Sequence, residues 1–324
     1  MRVIEVAGRG GPEVLNLAER PAPQPGPGQV VTEVTAAGVN YMDIYQREGV
    51  GGYRPDLPFV TGGEGAGTVI AVGAGVTSPA VGDRVAWVGP GSYAEQVVLP
   101  ADRVVPVPDG ISDELAAASI LQGMTAHYLV TSTYPVQDGD VAVVHAAAGG
   151  VGLLLTQMVK LRGGIVIATC SGGADGEKAR LAKDAGADHV TGYDQFRAVT
   201  GEVTDGTGAH VVYDGVGQAT FDDSLAALRR RGMLVVYGAA SGQVPPLDIQ
   251  RLNSGGSLFL TRPTLAHYTA DPEELRWRAR DVFDWIASGE LDVRIGGRYP
   301  LAEAARAQQD LAARRTSGKL LLIP

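Results

Sequence analysis

The sequence has a single cysteine, Cys170, among its 324 residues. One cysteine cannot form an internal disulfide, and it cannot supply a cysteine-rich zinc site. No apolar run reaches the length that a bilayer-spanning helix needs, and the first residues lack the apolar core of a signal peptide. We therefore expect a protein of a reducing, cytoplasmic compartment with no membrane partner.

Positive charge is also scarce, because 27 Lys and Arg stand against 36 Asp and Glu, which gives a formal net charge of −9. An acidic surface repels nucleic acid and anionic lipid, so we expect neither as a partner. The densest basic run, residues 229–231, follows a predicted helix over 221–228 and is interpreted as the cationic C-terminus of that helix. A phosphate or nucleic-acid contact is the lesser alternative.

Two different patterns divide the sequence. The first hundred residues hold short apolar runs between Gly and Pro residues, which predicts a compact β-barrel. From Val141 onward, apolar strands alternate with helices, which predicts a parallel sheet covered on both faces, the doubly wound α/β fold. A helix capped by Asp271, a further helix and a final strand close the chain, and we expect this tail to pack on the first domain.

The strongest local signal is the segment Ala-Ala-Gly-Gly-Val-Gly at 147–152, between a predicted strand over 141–147 and a predicted helix over 151–161. A dinucleotide-binding turn requires this context, with Ala147 here at the first glycine position. Gly149 would let the backbone approach a pyrophosphate, and Gly152 would let the helix pack closely on the strand. The amides of residues 150–152 would then face the phosphates at the positive end of the helix dipole.

The end of the next predicted strand distinguishes the two dinucleotides. An NAD-binding protein places an acidic residue there, about twenty residues after the glycine turn, for the ribose 2′-hydroxyl. This sequence has Ser171 at that point, followed by Lys178 and Arg180. A hydroxyl and two cations suit a 2′-phosphate, so these residues favour NADPH, although Asp175 in the same loop counts against it.

Several motifs in the same order make the sequence resemble the quinone oxidoreductases, the zeta-crystallin-like, zinc-independent branch of the medium-chain dehydrogenase/reductase superfamily. The glycine turn is followed at matching spacing by Gln157 and Lys160. Further matching segments are residues 37–43, 63–67, 212–217, 261–263 and 317–324. Zinc-dependent relatives have cysteine and histidine where this chain has Asn40 and Gly63, so the resemblance implies that there is no catalytic metal.

The resemblance implies a GroES-like β-rich domain, residues 1–124 and 266–324, and a Rossmann domain, residues 125–265, with the active site in the cleft between them. It also implies bound NADPH and a homodimer that pairs the Rossmann sheets, for which residues 254–262 are a candidate edge strand. The residues expected at the cofactor are Asn40, Thr125, Tyr128, Ala148, Gly149, Gly150, Val151, Gly152, Ser171, Lys178, Tyr193, Tyr237, Gly238, Ser241, Gly318 and Lys319.

Without a metal Lewis acid, the chemistry that we expect is hydride or electron transfer to a conjugated acceptor. The candidates for lining the acceptor pocket are Asn40, Tyr45 and Tyr53, and a tyrosine could donate a hydrogen bond to the developing oxyanion. For either tyrosine, ordinary half-buried packing is the competing interpretation. We therefore expect an NADPH:quinone oxidoreductase (EC 1.6.5.-), acting by one- or two-electron chemistry.

Two alternative functions stay open at this point. The first is a reductase of α,β-unsaturated carbonyls, including enoyl thioesters, because the same scaffold serves both reactions. The second is a non-catalytic protein that binds NADPH or RNA, which the acidic charge and the intact glycine turn disfavour.

Overall fold

The computed structural model describes all 324 residues, which divide into two compact units. Unit 1 comprises Met1–Met124, Ala270–Gly289 and Val293–Pro324, and unit 2 comprises Thr125–Thr269 and Glu290–Asp292. No helix has both the length and the apolar character needed to cross a membrane.

The strands in chain order are β1 (Arg2–Val6), β2 (Leu15–Glu19), β3 (Gln29–Val39), β4 (Phe59–Val60), β5 (Glu64–Val72), β6 (Arg84–Val88), β7 (Gln96–Pro100), β8 (Val104–Pro106), β9 (Val141–Val144), β10 (Ile165–Thr169), β11 (His189–Thr191), β12 (Ala209–Asp214), β13 (Leu228–Val236), β14 (Phe259–Thr261), β15 (Ile295–Pro300) and β16 (Lys319–Ile323). The α-helices are α1 (Tyr41–Glu48), α2 (Asp113–Tyr128), α3 (Gly150–Leu161), α4 (Glu177–Asp184), α5 (Phe196–Val203), α6 (Phe221–Ala226), α7 (Gln250–Ser254), α8 (Leu265–Tyr268), α9 (Pro272–Ala287) and α10 (Ala304–Ala312).

Unit 1 is built on a seven-stranded sheet in the order β15-β16-β3-β5-β6-β8, with β7 also paired to β3. The long strand β3 is rich in β-branched residues, which favour a half-buried pleated surface, and it supports three neighbours. Strand β16 pairs antiparallel with β3, with Leu321 opposite Gly38, so the last residues of the chain lie in this sheet. The core of this unit includes Trp87, Val34 and Leu320.

Unit 2 is a six-stranded sheet in the order β11-β10-β9-β12-β13-β14, and every neighbouring pair is parallel. The first strand, β9, is buried along its whole length, as a strand covered on both faces should be. The chain builds outward from β9 to β11 and then returns to β12 on the other side of β9. This reversal is the switch point where doubly wound sheets bind ligands, so the doubly wound fold is confirmed.

The interpretation of residues 229–231 as a cationic helix C-terminus is wrong. Helix α6 ends at Ala226, and β13 begins at Leu228, so the three arginines lie in a strand. Leu228 pairs with Ala209 and Met233 with Val211, so the residues between bulge out of the ladder. Arg231, with a φ of 59°, lies at this irregularity.

The edge strand predicted over 254–262 is also shorter than expected. Residues Gln250–Ser254 form the short helix α7, and only Phe259–Thr261 pair with β13 as the outermost strand β14.

Candidate functional site

The glycine turn joins β9 to α3 at the switch point of unit 2. Strand β9 ends earlier than predicted, at Val144, because Ala146 adopts a left-handed conformation with a φ of 52°. The Gly149 N–H closes the turn by donating to the Ala146 carbonyl at 2.9 Å. A Cβ on Gly152 would overlap that carbonyl oxygen and lie 2.7 Å from Ala147 Cα. Only glycine therefore lets α3 pack this closely on the turn.

The N-terminus of α3 has no side-chain cap, because Gly149 occupies the N-cap position. The first amides of a helix have no acceptor within the helix, and they carry the positive end of its dipole. The amides of Gly150, Val151 and Gly152 are therefore suited to an anion such as a pyrophosphate. Ala148, in the same turn, is buried.

Ser171 and Lys178 lie together beyond the end of the neighbouring strand β10. The Lys178 ammonium donates to the Ser171 hydroxyl at 3.0 Å, and both residues reach solvent. Ala168 of β10 pairs with Val144 of β9, so this pair and the glycine turn follow adjacent strands at the same edge of the sheet. A hydroxyl beside an ammonium is a fitting environment for a phosphate.

Other predicted cofactor residues follow further strands at this edge. Tyr193 comes after β11, and Tyr237 and Gly238 come directly after β13. A Cβ on Gly238 would lie 3.0 Å from Gly215 Cα, so glycine allows the loops after β12 and β13 to approach closely. The Ser241 hydroxyl joins the same two loops, because it donates to the Val216 carbonyl at 2.8 Å.

Thr125 and Tyr128 lie on α2 at the start of unit 2, and both are buried. The Tyr128 ring stacks on Tyr268, with ring centroids 4.3 Å apart and planes within 7°. This stacked pair fixes the orientation of the Tyr128 ring. The Tyr268 hydroxyl in turn accepts a hydrogen bond from Thr133 at 3.0 Å.

A buried polar network, which the sequence did not predict, supports the turn from below. The two ring nitrogens of His145 lie 2.8 Å from the Thr169 hydroxyl and 2.9 Å from the Ser224 hydroxyl. Ser224 also donates to Asp214 at 3.0 Å, and the other Asp214 oxygen accepts from the N–H of Val216. Burial lowers the pKa of His145, which favours a neutral imidazole. His145, directly after β9, therefore links to β10 through Thr169 and to β12 through Ser224 of α6 and Asp214.

A second cluster, in unit 1, is centred on Asn40, which lies at the N-cap of α1 directly after β3. The Asn40 amide nitrogen donates to Glu64 Oε1 at 2.6 Å, and its amide oxygen accepts from the Lys319 ammonium at 2.8 Å. Lys319 and Glu64 also form a direct ion pair, with side chains only 1% and 0% exposed. Two residues expected at the cofactor, Asn40 and Lys319, are therefore brought together around a buried carboxylate.

Two glycines make room for this cluster. A Cβ on Gly38 would overlap the Glu64 carboxylate and lie 2.6 Å from Lys319 Cε. Gly318 has a φ of 72°, and a Cβ there would overlap the Arg294 carbonyl that accepts the Lys319 N–H at 2.9 Å. Gly318 therefore positions Lys319 through the backbone.

Asp43 and Tyr93 complete the cluster below Asn40, and both are fully buried. The Tyr93 hydroxyl and the Asn40 N–H each donate to Asp43 Oδ2 at 2.8 Å. Burial raises the pKa of Asp43 to about 7. Sequence reasoning missed Glu64, Asp43 and Tyr93 as site residues, and the only available signal was the position of the two acids inside segments that match the family.

Tyr45 and Tyr53 are half-buried, with ring centroids 5.8 Å apart. Tyr41 lies 6.2 Å from Tyr45, but its hydroxyl donates to the Leu311 carbonyl at 3.1 Å, which makes it a packing residue. Tyr45 and Tyr53 thus form an aromatic surface on and after α1. No three His, Cys, Asp or Glu side chains are grouped so that they could hold a metal ion.

Two family models match the chain. The zinc-binding dehydrogenase model matches residues 150–274, and the alcohol dehydrogenase GroES-like domain model matches residues 26–109. Among curated relatives, a quinone oxidoreductase of Pseudomonas aeruginosa is 44% identical over 99% of both chains. A 2-haloacrylate reductase of Burkholderia sp. is 38% identical over 98% of this chain and 97% of its own.

Solved structures agree with the relatives. The mycobacterial protein Rv1454c complexed with NADPH is 51% identical, with a TM-score of 0.96 and full coverage of both chains. Because the match covers the full length of both chains, it includes both the glycine turn and the buried cluster. The chain belongs to the quinone oxidoreductase family of the medium-chain dehydrogenase/reductase superfamily.

Proposed function

We propose that this chain is an NADPH-dependent quinone oxidoreductase. The observation that carries the proposal is the pairing of Ser171 with Lys178 after β10, the neighbour of the strand β9 that leads to the uncapped N-terminus of α3. A site of this kind fits a dinucleotide, because Gly149 and Gly152 place no side chain between the turn and the first amides of α3.

The residues of unit 2 have distinct tasks in this proposal. The amides of Gly150, Val151 and Gly152 bind the pyrophosphate, and Ser171 with Lys178 binds the 2′-phosphate. Tyr193 borders the adenine. The loops that carry Tyr237, Gly238 and Ser241, together with Thr125 and Tyr128, border the ribose and the nicotinamide. When bound, NADPH supplies the hydride for the reaction.

The residues of unit 1 serve the acceptor and the nicotinamide end. We assign Asn40, Lys319 and Gly318 to the nicotinamide side, and Tyr45 and Tyr53 to the acceptor. The two half-buried rings offer flat apolar surface to a planar quinone, and a hydroxyl can donate a hydrogen bond to the acceptor oxygen as it gains charge. We assign residues 125–265 to cofactor binding and residues 1–124 and 266–324 to catalysis.

A second candidate function is reduction of α,β-unsaturated carbonyl compounds, which the similarity to a 2-haloacrylate reductase favours. Both reactions place a hydride on a conjugated acceptor, so they make the same demand on the residues described above. The acceptor, rather than the cofactor, distinguishes the two functions.

The experiment is to follow NADPH absorbance with purified protein and three acceptor classes: para-quinones, ortho-quinones and enones. We expect the quinones to give the higher kcat/KM. An enone that oxidises NADPH while no quinone does so would assign the second function, and oxidation by neither class would contradict both.

We also propose a cytoplasmic homodimer of the zeta-crystallin-like branch. Support for the dimer comes from β14, which is the outermost strand of the parallel sheet and carries Phe259 with 54% of its surface exposed. An edge strand with an exposed aromatic residue is suited to pairing with a second sheet.

A further inference from the structure

Asp43 and Tyr93 form a buried pair beneath Asn40 to which the proposed reaction assigns no task. Asp43 lies on the first turn of α1, and Tyr93 lies between β6 and β7. Both side chains are 0% exposed. One carboxylate oxygen, Oδ2, accepts from the Tyr93 hydroxyl and from the Asn40 N–H, while Oδ1 has no hydrogen-bond partner.

Stability alone does not account for this arrangement. Asp43, Glu64 and Lys319 are three ionisable side chains buried around one asparagine. A buried ion pair is seldom more stable than apolar residues of the same volume, and a buried carboxylate oxygen without a partner is unfavourable. Buried ionisable groups that gather at one residue are typical of functional sites.

The cluster fixes Asn40 at both ends. Its side-chain nitrogen faces the Glu64 carboxylate, and its side-chain oxygen faces the Lys319 ammonium, so a flipped amide would oppose both charges. Its backbone N–H is held by Asp43. Tyr93 is itself held against the chain that leads into Glu64, because a Cβ on Gly62 would overlap the Tyr93 ring.

We propose that Asp43 and Tyr93 are positioning residues for Asn40. The Tyr93 hydroxyl orients the Asp43 carboxyl, and the carboxyl holds the Asn40 backbone so that the Asn40 side chain is presented to the nicotinamide in one orientation. This inference rests on the proposed function, because Asn40 is assigned to the nicotinamide there.

The pH dependence of kcat provides a test, because loss of a contact with a purely structural role would not shift the pKa of Asp43. Burial raises its pKa to about 7, and Glu64 opposes its ionisation, while the Asn40 N–H, the Tyr93 hydroxyl and Lys319 favour it. Burial also raises the pKa of Tyr93, so its hydroxyl stays a donor at neutral pH. Loss of the Tyr93 donor should therefore raise the pKa of Asp43 further.

The test compares Tyr93→Phe with Tyr299→Phe. Tyr299 is a matched control, because its hydroxyl also donates to an aspartate of unit 1, Asp310, at 2.9 Å and makes no hydrogen bond to Asn40. We expect Tyr93→Phe to lower kcat about tenfold, because one hydrogen bond to a charged group is lost. The KM for NADPH and the KM for the quinone should change less. The pH midpoint of kcat should rise in Tyr93→Phe alone. Equal kcat and equal midpoints in the two variants would overturn the proposal.

Asp43 itself gives a conservative pair of variants. Asp43→Asn keeps an oxygen that can accept from both donors, so it should retain more kcat than Asp43→Ala and should lose the pH dependence near neutrality. An Asp43→Asn variant as impaired as Asp43→Ala, with the pH profile of the parent, would overturn the positioning role.

A measurement on the free protein separates this inference from the proposed function. In ¹⁵N and ¹³C NMR spectra, the Asn40 side-chain amide and the Asp43 carboxyl should shift in Tyr93→Phe and stay in place in Tyr299→Phe. Unchanged Asn40 and Asp43 signals in Tyr93→Phe would overturn the positioning. Failure of the parent protein to bind NADPH in a fluorescence titration would instead defeat the proposed function.

Discussion

Among single residues, Lys319 and Glu64 form a buried ion pair that no pattern in the sequence predicts. The two residues are 255 positions apart, and they meet because β16 and β5 both pair with β3. The Asn40 amide contacts both side chains: its nitrogen donates to Glu64 and its oxygen accepts from Lys319. The three buried side chains thus make with one another the polar contacts that water would otherwise supply.

Asp43 makes a testable contribution to stability. Its pKa rises from 3.8 to about 7 on folding, so between these values the folded chain holds a proton that the unfolded chain has lost. The stability contributed by this group is therefore greatest below pH 4 and is lost as the pH rises to 7. From pH 5 to 7.5, Asp43→Asn should gain about 2–3 kcal/mol in unfolding free energy relative to the parent.

Urea unfolding of both proteins at the two pH values checks this expectation, because other titrating groups cancel in the difference. A difference in unfolding free energy that stays constant between pH 5 and 7.5 would show that Asp43 does not titrate in the folded chain over this range.

At the scale of elements, the junction of β9 and α3 depends on Gly152, where any side chain would overlap the Ala146 carbonyl. Gly152→Ala should destabilise the protein by about 1–3 kcal/mol through overpacking, and it should weaken NADPH binding because α3 must move. Gly201 in α5 is a matched control, because a Cβ there would have no other atom within 4 Å. Gly201→Ala should be neutral or stabilising by up to about 1 kcal/mol.

Thermal unfolding and NADPH titration of the two variants check this prediction. Equal stability and equal NADPH affinity in Gly152→Ala and the parent would mean that the close approach of α3 is not required.

The alternation of strands and helices in unit 2 could be predicted, because apolar periodicity is a local property of the chain. Strand β9 ends three residues before the predicted end, because the left-handed backbone of Ala146 could not be predicted from the local sequence. The arginines at 229–231 were misplaced because the bulge in β13 depends on its pairing with β12. Asn40 and Lys319 were predicted from the resemblance to the family, because periodicity gives no signal for them. Asp43 and Tyr93 could be identified only from their contacts in the folded chain.

For the whole molecule, the exposed edge of the parallel sheet is the surface through which we expect two copies to associate. Phe259→Lys places a charge on the exposed edge strand β14 and should dissociate the proposed homodimer. Val81→Lys is a control, because Val81 is 61% exposed but belongs to unit 1. Sedimentation velocity should give a dimer for the parent and Val81→Lys, and a monomer for Phe259→Lys. A parent that sediments as a monomer would contradict the dimer.

In the proposed function, selective binding of NADPH depends on the pair of Ser171 and Lys178. Lys183, on the same helix α4, is a matched control, since its ammonium donates to the Ala174 carbonyl at 3.5 Å instead of to Ser171. We expect Lys178→Ala to weaken NADPH binding about ten- to hundredfold, the loss of a charge-assisted hydrogen bond, with NADH binding and the Lys183→Ala variant little changed.

The measurement is the ratio of NADPH to NADH dissociation constants, by fluorescence titration, in the parent, Lys178→Ala and Lys183→Ala. A ratio that favours NADPH in the parent and collapses only in Lys178→Ala is the predicted result. A parent that binds both dinucleotides equally, or a Lys178→Ala variant that loses affinity for both equally, would contradict recognition of the 2′-phosphate by Lys178.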